Sequence, residues 1–178
     1  MTEIATVERG GEWMGQFAAR LGDGEPMNDP QTTLGVVDIQ KIMACIPHRY
    51  PFLLVDRVVE IVGDESGVGI KNVTINEPQF TGHFPGRPVF PGVLMIEAMA
   101  QTAGVLVVNA RGSADPGVTS VLFTTIDKAK FRKPVVPGDQ LRFHLTKITR
   151  KRNLWFYRGE ARVDGALVAE ADLSAMVV

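Results

Sequence analysis

The sequence predicts an α+β domain in which an antiparallel sheet curls around one long, buried helix. Two observations carry this. Residues 93–109 are Leu, Met, Ile, Ala, Gln and Val in near-continuous succession, apolar on almost every side, as in a helix enclosed by other structure. The segments flanking it show the branched and alternating patterns of strands, and strands segregated from a single helix cover it by wrapping around it.

The elements follow in order. Residues 1–33 mix Gly, Glu, Pro, Asn and Asp with little periodicity beyond a short helical pattern at 13–21, so a flexible extension is expected before a domain spanning 34–178. Asp38 caps a short helix over 39–45 whose Ile39, Ile42, Met43 and Ile46 share a face, and Pro47 ends it. Residues 52–62 and 68–75 are dense in branched apolar side chains around Gly63-Asp64-Glu65-Ser66-Gly67, a hairpin. Residues 81–92 hold three prolines and three glycines around His83 and Arg87, which makes a stiff loop before the helix. A polar loop at 111–117 leads to strands at 118–127, 140–151, 154–163 and 166–178. In the 154–163 strand Trp155, Tyr157, Ala161 and Val163 alternate with Arg158, Glu160, Arg162 and Asp164, and Asp164-Gly165 is a hairpin turn. The sum is about six strands around one helix.

Composition narrows the function. A chain of 178 residues, 45% hydrophobic and 22% charged, forms one domain. Its net charge of -1 argues against duplex nucleic acid as a ligand. One cysteine, Cys45, rules out an intramolecular disulfide and fits a reducing compartment, and no export signal is evident, so the cytoplasm is expected. The apolar helix is interrupted by Glu97 and Gln101 and is short for a membrane span.

Three histidines offer the only imidazole bases. His144 falls on the polar face of a strand, and His48 sits in a turn between Pro47 and Pro51, where a capping or packing role is favoured. His83 is held by proline and glycine turns. Glu97 lies about a turn and a half into the apolar helix, so it must be partnered, protonated or facing a cavity. Gln101 is one turn further along the same face, placed to orient Glu97 or to satisfy a buried carbonyl, with the second favoured. The N–H groups of Gly92 and Val93 at the helix start suit a carbonyl oxygen that gains negative charge. A base, an acid and an oxyanion site are what proton abstraction beside a carbonyl requires. No phosphate loop or zinc-ligand spacing competes.

The runs from Pro47 to Arg57, Asn76 to Pro88, Pro91 to Gln101 and Ile126 to Leu141 resemble the FabZ-type 3-hydroxyacyl-[acyl-carrier-protein] dehydratases, over roughly residues 34–178. The resemblance implies a hot-dog fold and dimers that assemble into a trimer of dimers. It also implies dehydration of 3-hydroxyacyl chains on acyl carrier protein to trans-2-enoyl products, without a cofactor or metal. It places the catalytic histidine at His83, the acid at Glu97 from the partner subunit, and the carbonyl-holding N–H at Gly92. Related dehydratase-isomerases carry Asp at the acid position, so Glu97 argues for dehydration alone. Met95, Met99 and Phe123 are expected to line an acyl tunnel. Arg132, Lys133, Lys151 and Arg152 are expected to form a basic rim for an acidic carrier protein. The competing readings are another hot-dog enzyme, a thioesterase or enoyl hydratase, or a non-catalytic acyl-binding module.

Overall fold

The computed structural model describes residues 34–112 and 121–177. The extension expected over 1–33 and most of the loop expected at 111–117 lie outside the described residues. The chain runs β1 (Gly35–Val37), α1 (Ile39–Cys45), β2 (Arg57–Val62), β3 (Ser66–Asn72), a 3-10 turn (Pro78–Thr81), α2 (Gly92–Ala110), β4 (Val121–Phe131), β5 (Gln140–Lys151), β6 (Leu154–Val163) and β7 (Ala166–Val177). All strands pair antiparallel in one sheet, in the order β1-β2-β3-β5-β6-β7-β4. Among the described residues the sheet has the six expected strands and one more, β1, whose three residues are too few to show an alternating pattern.

The inward faces of the strands close on α2. Leu141, Phe143 and Leu145 of β5, Trp155, Tyr157 and Ala161 of β6, and Ala169, Ala171 and Leu173 of β7 are all buried together with Met95, Ile96, Met99, Val105 and Leu106 of the helix. α2 is long and apolar enough to cross a membrane, but 67% of that apolar window is buried inside this fold. Glycine sets how closely sheet and helix approach. A Cβ at Gly67 would stand 2.6 Å from Leu106 Cδ2, and one at Gly69 would overlap Thr102. Such overlaps force one element outward and open the core.

Two strand boundaries differ from the sequence expectation for identifiable reasons. The strand expected from residue 52 begins only at Arg57. The backbone before it is taken up instead by a turn, in which Phe52 N and Leu53 N donate to Arg49 O, and by the side chain of Gln101. β4 continues to Phe131, bending at two breaks in its register with β7, the second beside Lys128 at φ 51°. β5 and β6 occupy the expected residues.

Candidate active site

The loop that carries His83 is pinned from below. Lys71 on β3 is 5% exposed and pairs with Glu77 at 2.7 Å, an ion pair whose partners would each be costly to bury alone. Glu77 also accepts from Gln79 Nε2 at 2.8 Å and Thr74 N at 2.9 Å, and Gln79 O in turn accepts His83 N at 2.9 Å. Beyond His83, Phe84 and Arg87 exchange backbone hydrogen bonds and Val89 N donates back to His83 O at 3.0 Å. The imidazole stacks on Phe84 with centroids 4.0 Å apart, and its Nδ1 lies 2.7 Å from Val89 O. A carbonyl can only accept, so Nδ1 carries the proton and Nε2 of the neutral ring keeps its lone pair.

His83 borders a cleft of about 540 Å³ with Gly92, Val93, Met95, Phe131 and Lys133. The first turn of α2 opens into it without a side-chain cap, since Pro91 stands at the N-cap. Leu94 N donates to Pro91 O at 3.0 Å, while the N–H groups of Gly92 and Val93 have no intrahelical partner and point their dipoles along the helix axis. Gly92 lies under the ring of Phe131, where a Cβ would come within 2.8 Å of two ring carbons. Only glycine lets that ring close over the helix start.

Glu97 occupies a second cavity of about 110 Å³ with His48, Phe52, Ala100, Gln101 and Phe123. A smaller apolar pocket lined by Ala100, Gly104, Phe123 and Ala175 as well continues from it to Trp155 and Tyr157. Gln101, 2% exposed, meets both demands raised by its position: Oε1 accepts Leu54 N at 2.9 Å, while Nε2 donates to Phe52 O at 2.7 Å and to Glu97 Oε1 at 2.9 Å. It ties the carboxylate and satisfies backbone at once.

Within one chain the structure does not bring His83 and Glu97 together, because their cavities share no lining residue. Met95 lines the His83 cleft and Val93 is 70% exposed at its edge. Phe123 lines both pockets on the Glu97 side. Met99 lines none of the three; it is fully buried against Gly159, where a Cβ would sit 2.7 Å from its sulfur, and so serves the core instead of a tunnel. The four basic residues do not form one rim. Arg132 N bonds Val168 O, whereas the turn holding Lys151 and Arg152 abuts Leu154, which pairs with Met176. Eight residues of β7 separate the two points, about 27 Å at the rise of a strand. Arg132 is exposed but engaged by Glu170, whereas Lys133 is exposed on the cleft with no ion pair among the described residues. His144 is half-buried on the outer face, its pKa lowered by burial and then by Arg142 and Arg162, and it borders none of these cavities. Among the described residues no cluster of three His, Cys, Asp or Glu could hold a metal.

The FabA-like domain profile matches residues 46–172. The chain is 61% identical over 154 residues to the 3-hydroxyacyl-[acyl-carrier-protein] dehydratase FabZ of Methylobacterium radiotolerans, covering 86% of this chain and 98% of that one. It is 58% identical to the FabZ of Sinorhizobium fredii, covering 85% and 97%. This chain belongs to the FabZ dehydratase family. Its fold is shared more widely. A chain of the dehydratase heterocomplex ApeI:P from Xenorhabdus doucetiae superposes with a TM-score of 0.65 at 18% identity, over 77% of this chain and 90% of that one.

One contact in the Glu97 cavity escaped the sequence reading. His48 was assigned a capping or packing role, and it does stack on Phe52, with centroids 5.9 Å apart and planes at 24°. Its Nε2 also lies 3.3 Å from Glu97 Oε1. The signal available was indirect: a carboxylate on an apolar helix needs donors, and the sequence contains only three histidines to supply a ring.

Proposed function

We propose that this chain removes water from 3-hydroxyacyl groups carried on acyl carrier protein, giving the trans-2-enoyl thioester during fatty acid biosynthesis in the cytoplasm. The observation that carries the reading is that the His83 ring is held through Nδ1 by Val89 O beside the uncapped start of α2, while Glu97 is held separately at the head of an apolar chamber. His83 Nε2 takes the C2 proton, and the N–H of Gly92 holds the thioester oxygen as it gains charge. Glu97 gives a proton to the 3-hydroxyl as the C3–O bond breaks, so that water leaves and the C2–C3 double bond forms. The steps use only side chains and backbone of the protein.

Because the two half-sites are separate in one chain, the reading requires a dimer in which His83 of one protomer faces Glu97 of the other. The outer edge of β4 supports this. Leu122, Ile126 and Phe131 are 51%, 50% and 53% exposed on the last strand of the sheet, an apolar edge suited to pairing with a second copy. Three such dimers make the hexamer that the family resemblance implies. Lys133 at the cleft, with Arg132, is the proposed contact for the acidic carrier protein.

Hydration of a crotonyl thioester, followed by loss of ultraviolet absorbance, tests the chemistry in the reverse direction. Wild type consumes the enoyl thioester and His83→Ala is slower by about 10²–10⁴-fold. An unchanged rate in folded His83→Ala refutes the assignment of the base, and release of free thiol would mark a thioesterase instead.

A further inference from the structure

We propose that His48 is a positioning residue for the reaction: with Gln101 it closes off Oε1 of Glu97 and leaves Oε2 as the oxygen that carries the working proton. The inference rests on the reading of Glu97 as the acid.

The argument starts at Leu54. Its N–H donates to Gln101 Oε1, which fixes the orientation of the amide, so the group 2.9 Å from Glu97 Oε1 is the NH₂ end. The carbonyl-type oxygen of a protonated carboxyl is a stronger acceptor than its hydroxyl oxygen, so N–H groups that converge on one oxygen favour the proton on the other. His48 Nε2 stands 3.3 Å from the same Oε1, and His48 Nδ1 is buried without a hydrogen-bond partner. That orphan nitrogen decides the tautomer. A proton on Nδ1 would bury an unmet donor and turn the lone pair of Nε2 toward the lone pairs of Oε1. Of the two neutral tautomers, the one protonated at Nε2 leaves only an unmet acceptor and donates to Oε1, which is the less costly arrangement.

The ring is held in place by its own turn. The Arg49 guanidinium binds the carbonyls of Met43, Ile46 and His48, and Phe52 stacks on the imidazole. Two N–H groups therefore converge on Oε1 from elements that cannot easily retreat. The proton of the acid form sits on Oε2, so the carboxyl is presented to the chamber in one orientation. Gln101 cannot be removed cleanly, because it also satisfies two backbone groups, whereas His48 makes no hydrogen bond that the turn depends on through its side chain.

The test compares His48→Leu, which fills the space without a donor, with His48→Gln, whose amide nitrogen can reach the position of Nε2. Steady-state kcat and KM are measured for crotonyl thioester hydration, with thermal melting to confirm folding. His48→Leu should lower kcat by about 10–100-fold, the usual cost of losing a group that orients a catalytic ligand, with KM within about twofold. His48→Gln should restore kcat to within about threefold of wild type. Where His48→Leu melts early, His48→Phe, which keeps the ring stack, takes its place. In a Glu97→Gln background His48→Leu should change the residual rate no further, since His48 acts through the carboxylate. Equal losses in the Leu and Gln variants, a loss confined to KM, or an additive loss in the double variant would each overturn the proposal. Full activity in Glu97→Gln alone would instead refute the reading of Glu97 as the acid, while an inactive Glu97→Gln beside an undiminished His48→Leu defeats only the role of His48.

Discussion

A heterodimer of His83→Ala and Glu97→Gln separates a shared active site from one completed within each chain. In this structure His83 borders one cavity and Glu97 another with no lining residue in common, which is why the proposed site takes one group from each protomer. Each variant homodimer therefore carries a defect in both of its sites and should fall by about 10²–10⁴-fold. In the heterodimer one site combines the two defects, while the other combines an intact His83 with an intact Glu97. The doubly tagged heterodimer, co-expressed and purified through both tags, should show about half the wild-type rate per dimer. Free subunit exchange between equal amounts of the two variants makes heterodimers about half of the population, so the mixture should climb to about one quarter of wild type. Enoyl thioester hydration reads the rate, and size exclusion confirms that the variants remain assembled. A doubly tagged heterodimer as inert as its parents would show that every site still holds a defect, and the shared-site arrangement would be refuted.

Reversal of the exposed cation in Lys133→Glu should weaken turnover on a carrier-protein substrate by about 10-fold or more while sparing a small thioester, because the charge acts on docking and not on the reacting atoms; equal losses on both substrates would remove Lys133 from the docking surface. The acid limb of stability offers an independent check. Hydrogen bonds from Lys128 and then from Arg158 hold the Asp172 carboxyl below the ordinary carboxylate range, with ion-pair distances of 2.9 and 3.0 Å. A carboxyl depressed in the folded state contributes stability that is complete above its unfolded value of about 3.9 and is lost as the pH falls through the folded value. Asp172→Asn should thus melt below wild type at neutral pH, the gap shrinking below about pH 4. A gap that widened in acid would contradict the sign of this linkage.

The parts legible in the sequence are those whose signal is local. β5 and β6 were legible because alternation runs through residues 140–146 of β5 and most of β6, and Asp164-Gly165, both at positive φ, closes the following turn. His83 and Glu97 stood out because a proline-rich loop and a carboxylate among apolar neighbours are visible without knowledge of the fold. What was hidden depended on partners distant in the chain. Residues 52–56 read as strand because the apolar pattern continues there, yet their backbone is satisfied by a turn onto Arg49 O and by Gln101, which bonds Leu54 N and Phe52 O and which no local pattern announces. His48 resembled a turn residue for the same reason. The separation of Arg132 and Lys133 from Lys151 and Arg152 follows from β4 pairing with β7 at the sheet edge instead of with β5, its neighbour in sequence. Met99 was indistinguishable by composition from Met95, and only the missing side chain at Gly159 makes room for it in the core.

The position of α2 in the chain order bears on synthesis. Its most apolar turns leave the ribosome before β4, β5, β6 and β7, the four strands that supply most of its cover. From Ala110 to the end of β7 at Val177 another 67 residues must be made. At the usual 5–20 residues per second, the helix waits roughly 3 to 13 s without its sheet. During that interval it is the segment of the nascent chain with the strongest claim on a chaperone, and among the described residues only α1 and the hairpin of β2 and β3, already made, are available as part of its eventual shelter.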